Sequence, residues 1–149
     1  MLNYRPATID DIDEMIALLQ RLFSIEAAFS FDPAHHRKAL QWIVDDPAAC
    51  AMVATNHGRV LAMGTAQWVY STASGGKSAW LEDIVVTPDC QRQGIATGLV
   101  KNLIAWCRKE GCNRVQLVYD PDNQSAVTFY QSMQFEIAPL KVFRKTIAS

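Results

Sequence analysis

Residues 81–104, LEDIVVTPDCQRQGIATGLVKNLI, pass from an apolar run through a proline turn into an amphipathic segment. Two of the chain's seven glycines, Gly94 and Gly98, fall here, at what reads as the start of a helix. A glycine inside a helix costs about 1 kcal/mol relative to alanine, so a compensating role is expected. A strand over Leu81–Val86, a turn at Thr87-Pro88 and a long helix after Gly94 form an arrangement that binds anions. The free backbone N–H groups and the positive dipole end of such a helix face the same point. Gly94 lets the backbone approach a phosphate, and Ala96 keeps the first turn small. No Gly-Lys-Ser/Thr follows, so this is not a Walker loop, and the dinucleotide spacing G-x-G-x-x-G is absent.

Working outward, Ile95, Leu99, Leu103 and Trp106 form one helical stripe closed by Gly111. NRVQLVY (113–119) then reads as a strand, and Asp122 or Asn123 caps a helix running to about Met133. FEIAPLKVFRKTI (135–147) supplies two terminal strands. Upstream, LNYRPAT (2–8) is a short strand, and Thr8 caps a helix with Asp10 and Asp11 in its first turn. Asp32-Pro33 starts a second helix that ends before Pro47. Asn56-His57-Gly58-Arg59 joins two apolar runs as a hairpin, and Gly64 in the second run marks a bulge. A strand, a helix and another strand in the middle imply a parallel pair.

The chain has 149 residues, half of them apolar and 19% charged, which fits one domain over 1–149. A formal charge of −1 gives no electrostatic footprint for nucleic acid or an anionic membrane. No stretch approaches the ~18 apolar residues of a membrane span, and the N-terminus has no apolar core of signal-peptide length. The four cysteines lack any C-x-x-C pair, so a zinc site is not expected, and reduced thiols point to the cytoplasm. Adjacent His35 and His36 point roughly 100° apart on a helix, which suits a shared metal poorly. They read as helix surface or acceptor-site lining.

Residues 81–104 resemble the acyl-CoA signature of the GNAT superfamily of N-acetyltransferases, Gln/Arg-x-x-Gly-x-Gly/Ala after a strand. NQSAVTFYQSMQF (123–135) is similar to the family's second signature, departing from it at Met133-Gln134, where glycine usually stands second. The element order matches as well. The resemblance implies a mixed α/β fold with a strongly twisted central sheet of about seven strands, about four helices and a splayed parallel pair in the middle. It implies acetyl-CoA as co-substrate, its pyrophosphate on backbone amides from Gln93 to Thr97, Ile95 and Ala96 included, with Gln91 beside them. Arg92 either adds positive charge near the phosphates or is a solvated loop residue. The pantetheine arm would follow the strand at Ile84, Val85 and Val86, with Asn123 in contact.

Acetyl transfer to an amine poses three problems. An alkylammonium of pKa ~10.4 must lose a proton, the thioester oxygen becomes negative, and a thiolate departs. Glu82 and Asp83 are the carboxylates for the first task. Consecutive strand residues face opposite ways, so they act together only if a bulge turns the strand. On the resemblance to small-amine acetyltransferases, Glu82 is expected as the base, acting directly or through water, and Asp83 as substrate binder. The backbone N–H of Val85 or Val86 would serve the oxygen. Tyr130 would protonate the sulfur, the alternative being a core tyrosine beside Phe129. The loop Glu26–Asp32, Phe29 included, and the segment Trp68–Ser74 would border the acceptor site, where Glu26 and Asp32 would help select a cationic amine. The function expected is transfer from acetyl-CoA to a primary amine of a small molecule. A protein or peptide acceptor and a non-catalytic acyl-CoA-binding module are the alternatives, and a homodimer is compatible with the sequence.

Overall fold

The computed structural model describes residues 1–26 and 29–147. Strand β1 (Leu2–Pro6) leads through a turn of 3-10 helix into α1 (Ile12–Ile25). The turn is fixed by Asp11, whose carboxylate accepts the Thr8 N–H at 2.7 Å and two bonds from the Arg5 guanidinium at 2.7 and 2.9 Å. Hydrogen bonding to Arg5 holds the Asp11 carboxyl below the usual carboxylate range. Helix α2 (Pro33–Asp45) starts as its sequence requires. The Asp32 side chain accepts the His35 N–H, and proline, which has no N–H to leave unpaired, takes the first turn.

Strands β2 (Ala49–Asn56) and β3 (Arg59–Ser71) form the expected hairpin. Its two turn residues, His57 and Gly58, both have positive φ, the geometry that matches strand twist. β4 (Gly76–Val86) follows, then α3 (Ile95–Lys109) and β5 (Cys112–Leu117), which pairs parallel with β4. The sheet order is β1-β2-β3-β4-β5, antiparallel until the last pair. Met63, Val53, Ala51 and Val85 pack with Ile12, Met15, Leu19 and Leu40 of α1 and α2. Gly64, the next residue along β3, faces Leu99 and Leu103 of α3. Strand alternation therefore puts α1 and α2 on one face and α3 on the other.

These elements make up one compact unit, Met1–Val118; the second is Tyr119–Ser149. The second unit contains α4 (Gln124–Ser132), capped by Asn123, whose side chain accepts the Ala126 N–H at 3.1 Å. The helix closes at Gln134, with φ +68, and the Phe135 N–H returns to the Tyr130 carbonyl at 3.0 Å. Glutamine thus takes the left-handed closing position that glycine usually fills.

Among the described residues the sheet has five strands, against the about seven expected from sequence. Residues 136–147 carry no regular structure, with Leu140 and Phe143 exposed. A strand exists only by pairing, and among the described residues the second unit holds no strand to serve as partner. The parallel pair consequently lies at the edge of the sheet rather than in its middle.

Gly98 is explained by packing. A Cβ there would overlap the ring of Tyr4, whose hydroxyl donates to the Ile95 carbonyl at 3.2 Å. Gly98→Ala is expected to destabilise the protein by about 1–3 kcal/mol through overpacking, despite the better helix propensity of alanine. Denaturant unfolding checks this, and an equal or more stable variant would mean that Tyr4 is free to move aside.

Candidate active site

The site begins with a fault in the sheet. Met63 pairs with Val85 and Thr65 with Glu82, so Asp83 and Ile84 together stand opposite Gly64. The extra residue belongs to β4, and Gly64 accommodates it. A Cβ at position 64 would come within 2.6 Å of Ile84 Cδ1 and 2.9 Å of Leu103 Cδ1. Asp83 absorbs the kink with φ +58, a conformation that Asp and Asn tolerate better than most residues.

The bulge separates the fates of the two carboxylates. Glu82 is exposed, while Asp83 is partly buried. Burial pushes the Asp83 carboxyl up to about 7, and the charges of Glu82 and Glu26 push in the same direction. Three acidic side chains that are distant or consecutive in sequence thus influence one another at this point.

The β4–β5 pairing ends just before the bulge. The parallel ladder runs from Lys77–Cys112 to Leu81–Leu117, the last residue of β5, and stops. β4 continues to Val86, still paired with β3 through Val85 and Val86, so among the described residues its other edge at Val85 and Val86 has no strand beside it. The bulge between the last β5 pair and this edge raises local twist and bends the strand there.

The strand then delivers the chain to the start of α3. The Thr87 N–H donates to the Leu61 carbonyl at 2.7 Å. Arg59 grips Asp89 through two bonds of 2.9 and 3.1 Å, and the Thr87 hydroxyl donates to the same carboxylate at 3.0 Å. Hydrogen bonding to Arg59 brings the Asp89 carboxyl down to about 2. Gln91, Arg92, Gln93 and Gly94 are exposed, and the Gln91 side chain donates to the Val86 carbonyl at 3.4 Å. Arg92 and Gly94 have φ +65 and +79, and Gly94 is the N-cap of α3. Apart from its own chain neighbours, no atom of the described residues lies within 4 Å of where a Cβ of Gly94 would be. Its glycine is required by the left-handed backbone, and the position opens outward. Ile95 is buried under the first turn, with Ala96 and Thr97 partly exposed beside it.

Glu26 follows α1 directly, its N–H donating to the Leu22 carbonyl at 3.0 Å. Phe29, half exposed, packs its ring on Phe23 at 5.7 Å. Ala27 and Ala28 of the expected acceptor-side loop lie outside the described residues. In the second unit Asn123 is a helix cap, and the Tyr130 ring stands edge-on to Phe129 and Phe135 at 5.0 and 5.6 Å. Sequence reasoning missed the Arg59–Asp89 tether, because nothing local links a hairpin turn to a residue thirty positions on.

A parallel pair whose ladder ends beside an open helix start, with a perturbed carboxylate next to it, suits a group-transfer enzyme that holds an extended ligand. Residues 12–135 match the Acetyltransferase (GNAT) family, and the chain belongs to that family. The sequence is 26% identical over 150 residues to the aminoglycoside N(6')-acetyltransferase type 1 of Acinetobacter baumannii, covering 98% of this chain and 99% of that one. Two solved structures share the fold. One is a possible acetyltransferase from Clostridium difficile 630 (TM-score 0.87, 19% identity, 100% of this chain and 99% of that one). The other is a predicted acetyltransferase of Clostridium acetobutylicum with acetyl-CoA (TM-score 0.81, 16% identity, 97% and 96%). The protein is an N-acetyltransferase of the GNAT type, and among the described residues no helix is long and apolar enough to cross a membrane.

The raised carboxyl has a measurable consequence for stability. Between the ordinary value of 3.8 and about 7 the folded protein holds a proton on Asp83 that the unfolded chain has lost. This contribution therefore declines as pH rises through that window. Asp83→Asn, which suits the same backbone, should match the native protein near pH 4 and melt at a higher temperature by pH 8. A difference independent of pH, followed by circular dichroism, would show that Asp83 is not protonated in the folded state.

Proposed function

We propose that the protein transfers the acetyl group of acetyl-CoA to a primary amine of a small cationic molecule, with Asp83 as proton acceptor. The observation that carries this reading is the partly buried Asp83 carboxyl on the bulge where β4 parts from β5. A carboxylate of ordinary pKa is a poor base for an ammonium of pKa ~10.4, the gap of ~6.6 corresponding to about 9 kcal/mol. At about 7 the gap is roughly halved. The sequence-based roles of the acidic pair are therefore exchanged: Asp83 takes the proton, and exposed Glu82, with Glu26, supplies negative potential that favours a cationic acceptor. The aminoglycoside-acetylating relative, aligned along nearly its whole length, supports an acceptor of this class.

The residues present suit acetyl-CoA. The left-handed Gly94 opens the start of α3 toward a phosphate, Gln93 to Thr97 offer backbone N–H groups, and Arg92 lies beside them. Val85 and Val86 stand on the strand edge that β5 leaves uncovered, where a backbone N–H can donate to the oxygen that becomes negative. For Tyr130, as donor to the departing sulfur, and Asn123, as a contact for the arm, the proposal rests on their motif alone. The four free cysteines suit a reducing compartment, and we assign the chain to the cytoplasm.

The test is thiol release from acetyl-CoA in the presence of kanamycin, spermidine or lysine. Asp83→Asn should lower kcat by about 10²–10⁴ and remove a rise in kcat/KM centred near pH 7, while CoA affinity measured by calorimetry stays unchanged. Glu82→Gln should chiefly raise the KM of the amine. Near-native kcat in Asp83→Asn would return the base role to Glu82 or to solvent.

Gly94→Asp tests the cradle separately. A side chain strained at positive φ and carrying a like charge should weaken CoA binding at least tenfold, about 1.4 kcal/mol, without loss of the folded circular dichroism spectrum. Unchanged affinity would remove the phosphate role from the α3 start.

A further inference from the structure

His35 and His36 diverge as adjacent helical residues must, His35 to solvent and His36 inward. The His36 ring lies between two aromatic rings, Phe23 of α1 at 4.9 Å and Phe31 at 5.4 Å. Its Nε2 accepts the backbone N–H of Asp32 at 2.9 Å. An accepting ring nitrogen carries no proton, so the neutral imidazole makes this bond. The Asp32 carboxylate is engaged elsewhere, with the His35 N–H at 3.3 Å and the His35 ring at 3.3 Å. Capping of α2 thus does not need His36.

Phe23, which touches His36, also touches Phe29, and the Phe29 N–H donates to the Glu26 carbonyl at 3.3 Å. His36 is therefore joined to both ends of the connection between α1 and α2: to Asp32 and Phe31 at its exit, and through Phe23 to Phe29 and Glu26 at its entrance. Glu26 in turn lies close enough to Asp83 for its charge to act on that carboxyl. We propose that His36 is a positioning residue, a latch that fixes Phe31 and Asp32 on one side and, through Phe23, Phe29 and Glu26 on the other, and so keeps Glu26 near Asp83 on the acceptor side of the site. It touches no reacting atom and acts through Phe23, Phe31 and the Asp32 backbone.

The latch itself is a matter of geometry; its effect on turnover rests on the reading of Asp83 as proton acceptor given above. Two measurements keep these apart. In the native protein, a through-hydrogen-bond nitrogen–nitrogen coupling between the Asp32 amide and His36 Nε2 is expected by NMR, and its absence would overturn the latch. His36→Phe keeps a ring between Phe23 and Phe31 and deletes the acceptor. In that variant the Asp32 amide should exchange faster with solvent. The Asp83 carboxyl, followed by carbon-13 NMR, should titrate at a lower pH than in the native protein, because Glu26 is no longer held against it. The KM for the amine in the kanamycin assay should rise about two- to tenfold, the scale of one neutral hydrogen bond, with the acetyl-CoA KM unchanged. His36→Gln, whose side-chain oxygen can accept the same N–H, should restore both. An unmoved Asp83 titration in a folded His36→Phe variant overturns the proposal whatever the activity does. A shifted titration with the amine KM unchanged would leave the latch standing and refute its part in acceptor binding.

Discussion

The extra residue in β4 opposite Gly64 is the constraint on which the site depends. In a regular strand, inserting one residue sends every later side chain to the opposite face. Here the insertion is confined between the Thr65–Glu82 and Met63–Val85 pairs. Ile84 can therefore reach the α3 face while Val85 enters the core beneath α1 and α2. A glycine at position 64 leaves room for Ile84 and Leu103 to close over the fault without shifting. The same fault places Asp83 in a left-handed conformation and lies just past the last β4–β5 pair, Leu81–Leu117. A carboxylate of raised pKa and a strand edge without a neighbouring strand among the described residues therefore fall within a few residues of each other.

The helix start next to it is held by contacts distant in sequence. The Arg59–Asp89 ion pair is solvent-exposed and adds little to stability, as such pairs generally do. Its value is geometric, since together with the Thr87–Leu61 backbone bond it ties the turn before α3 to the β2–β3 hairpin. The two glycines of this stretch serve different ends. Gly94 has a left-handed backbone and an open surround, whereas Gly98 is small because Tyr4 from β1 lies against the helix.

Burial has different consequences for different titratable groups. Burial raises the Cys50 and Cys107 thiols to about 11 and about 12, leaving almost no thiolate near neutral pH and hence little reactivity. Burial also raises Asp83, but only to about 7, where both protonation states are populated under ordinary conditions. A group so poised can accept a proton and release it again, and a thiol at 12 cannot.

The sequence by itself determined the local elements. Thr8, Asp32-Pro33, Gly94 and Asn123 mark helix starts through bonds made within a few residues, and alternation with the His57-Gly58 turn marks the hairpin. It also carried the two motifs that resemble the family's, because a strand, turn and helix start is a contiguous device. The bulge was legible in part, through Gly64 and the need to bring consecutive carboxylates together. What only the tertiary structure decided are matters of partnership between distant segments. Which carboxylate is buried depends on the β3 register, and the rise of Asp83 comes first from that burial, with the charge of Glu82 and then that of Glu26, at the end of α1, adding to it. The need for glycine at 98 depends on Tyr4. The terminal strands were expected because residues 135–147 have strand-like composition, yet a strand is defined by the neighbour it pairs with, and composition does not supply one.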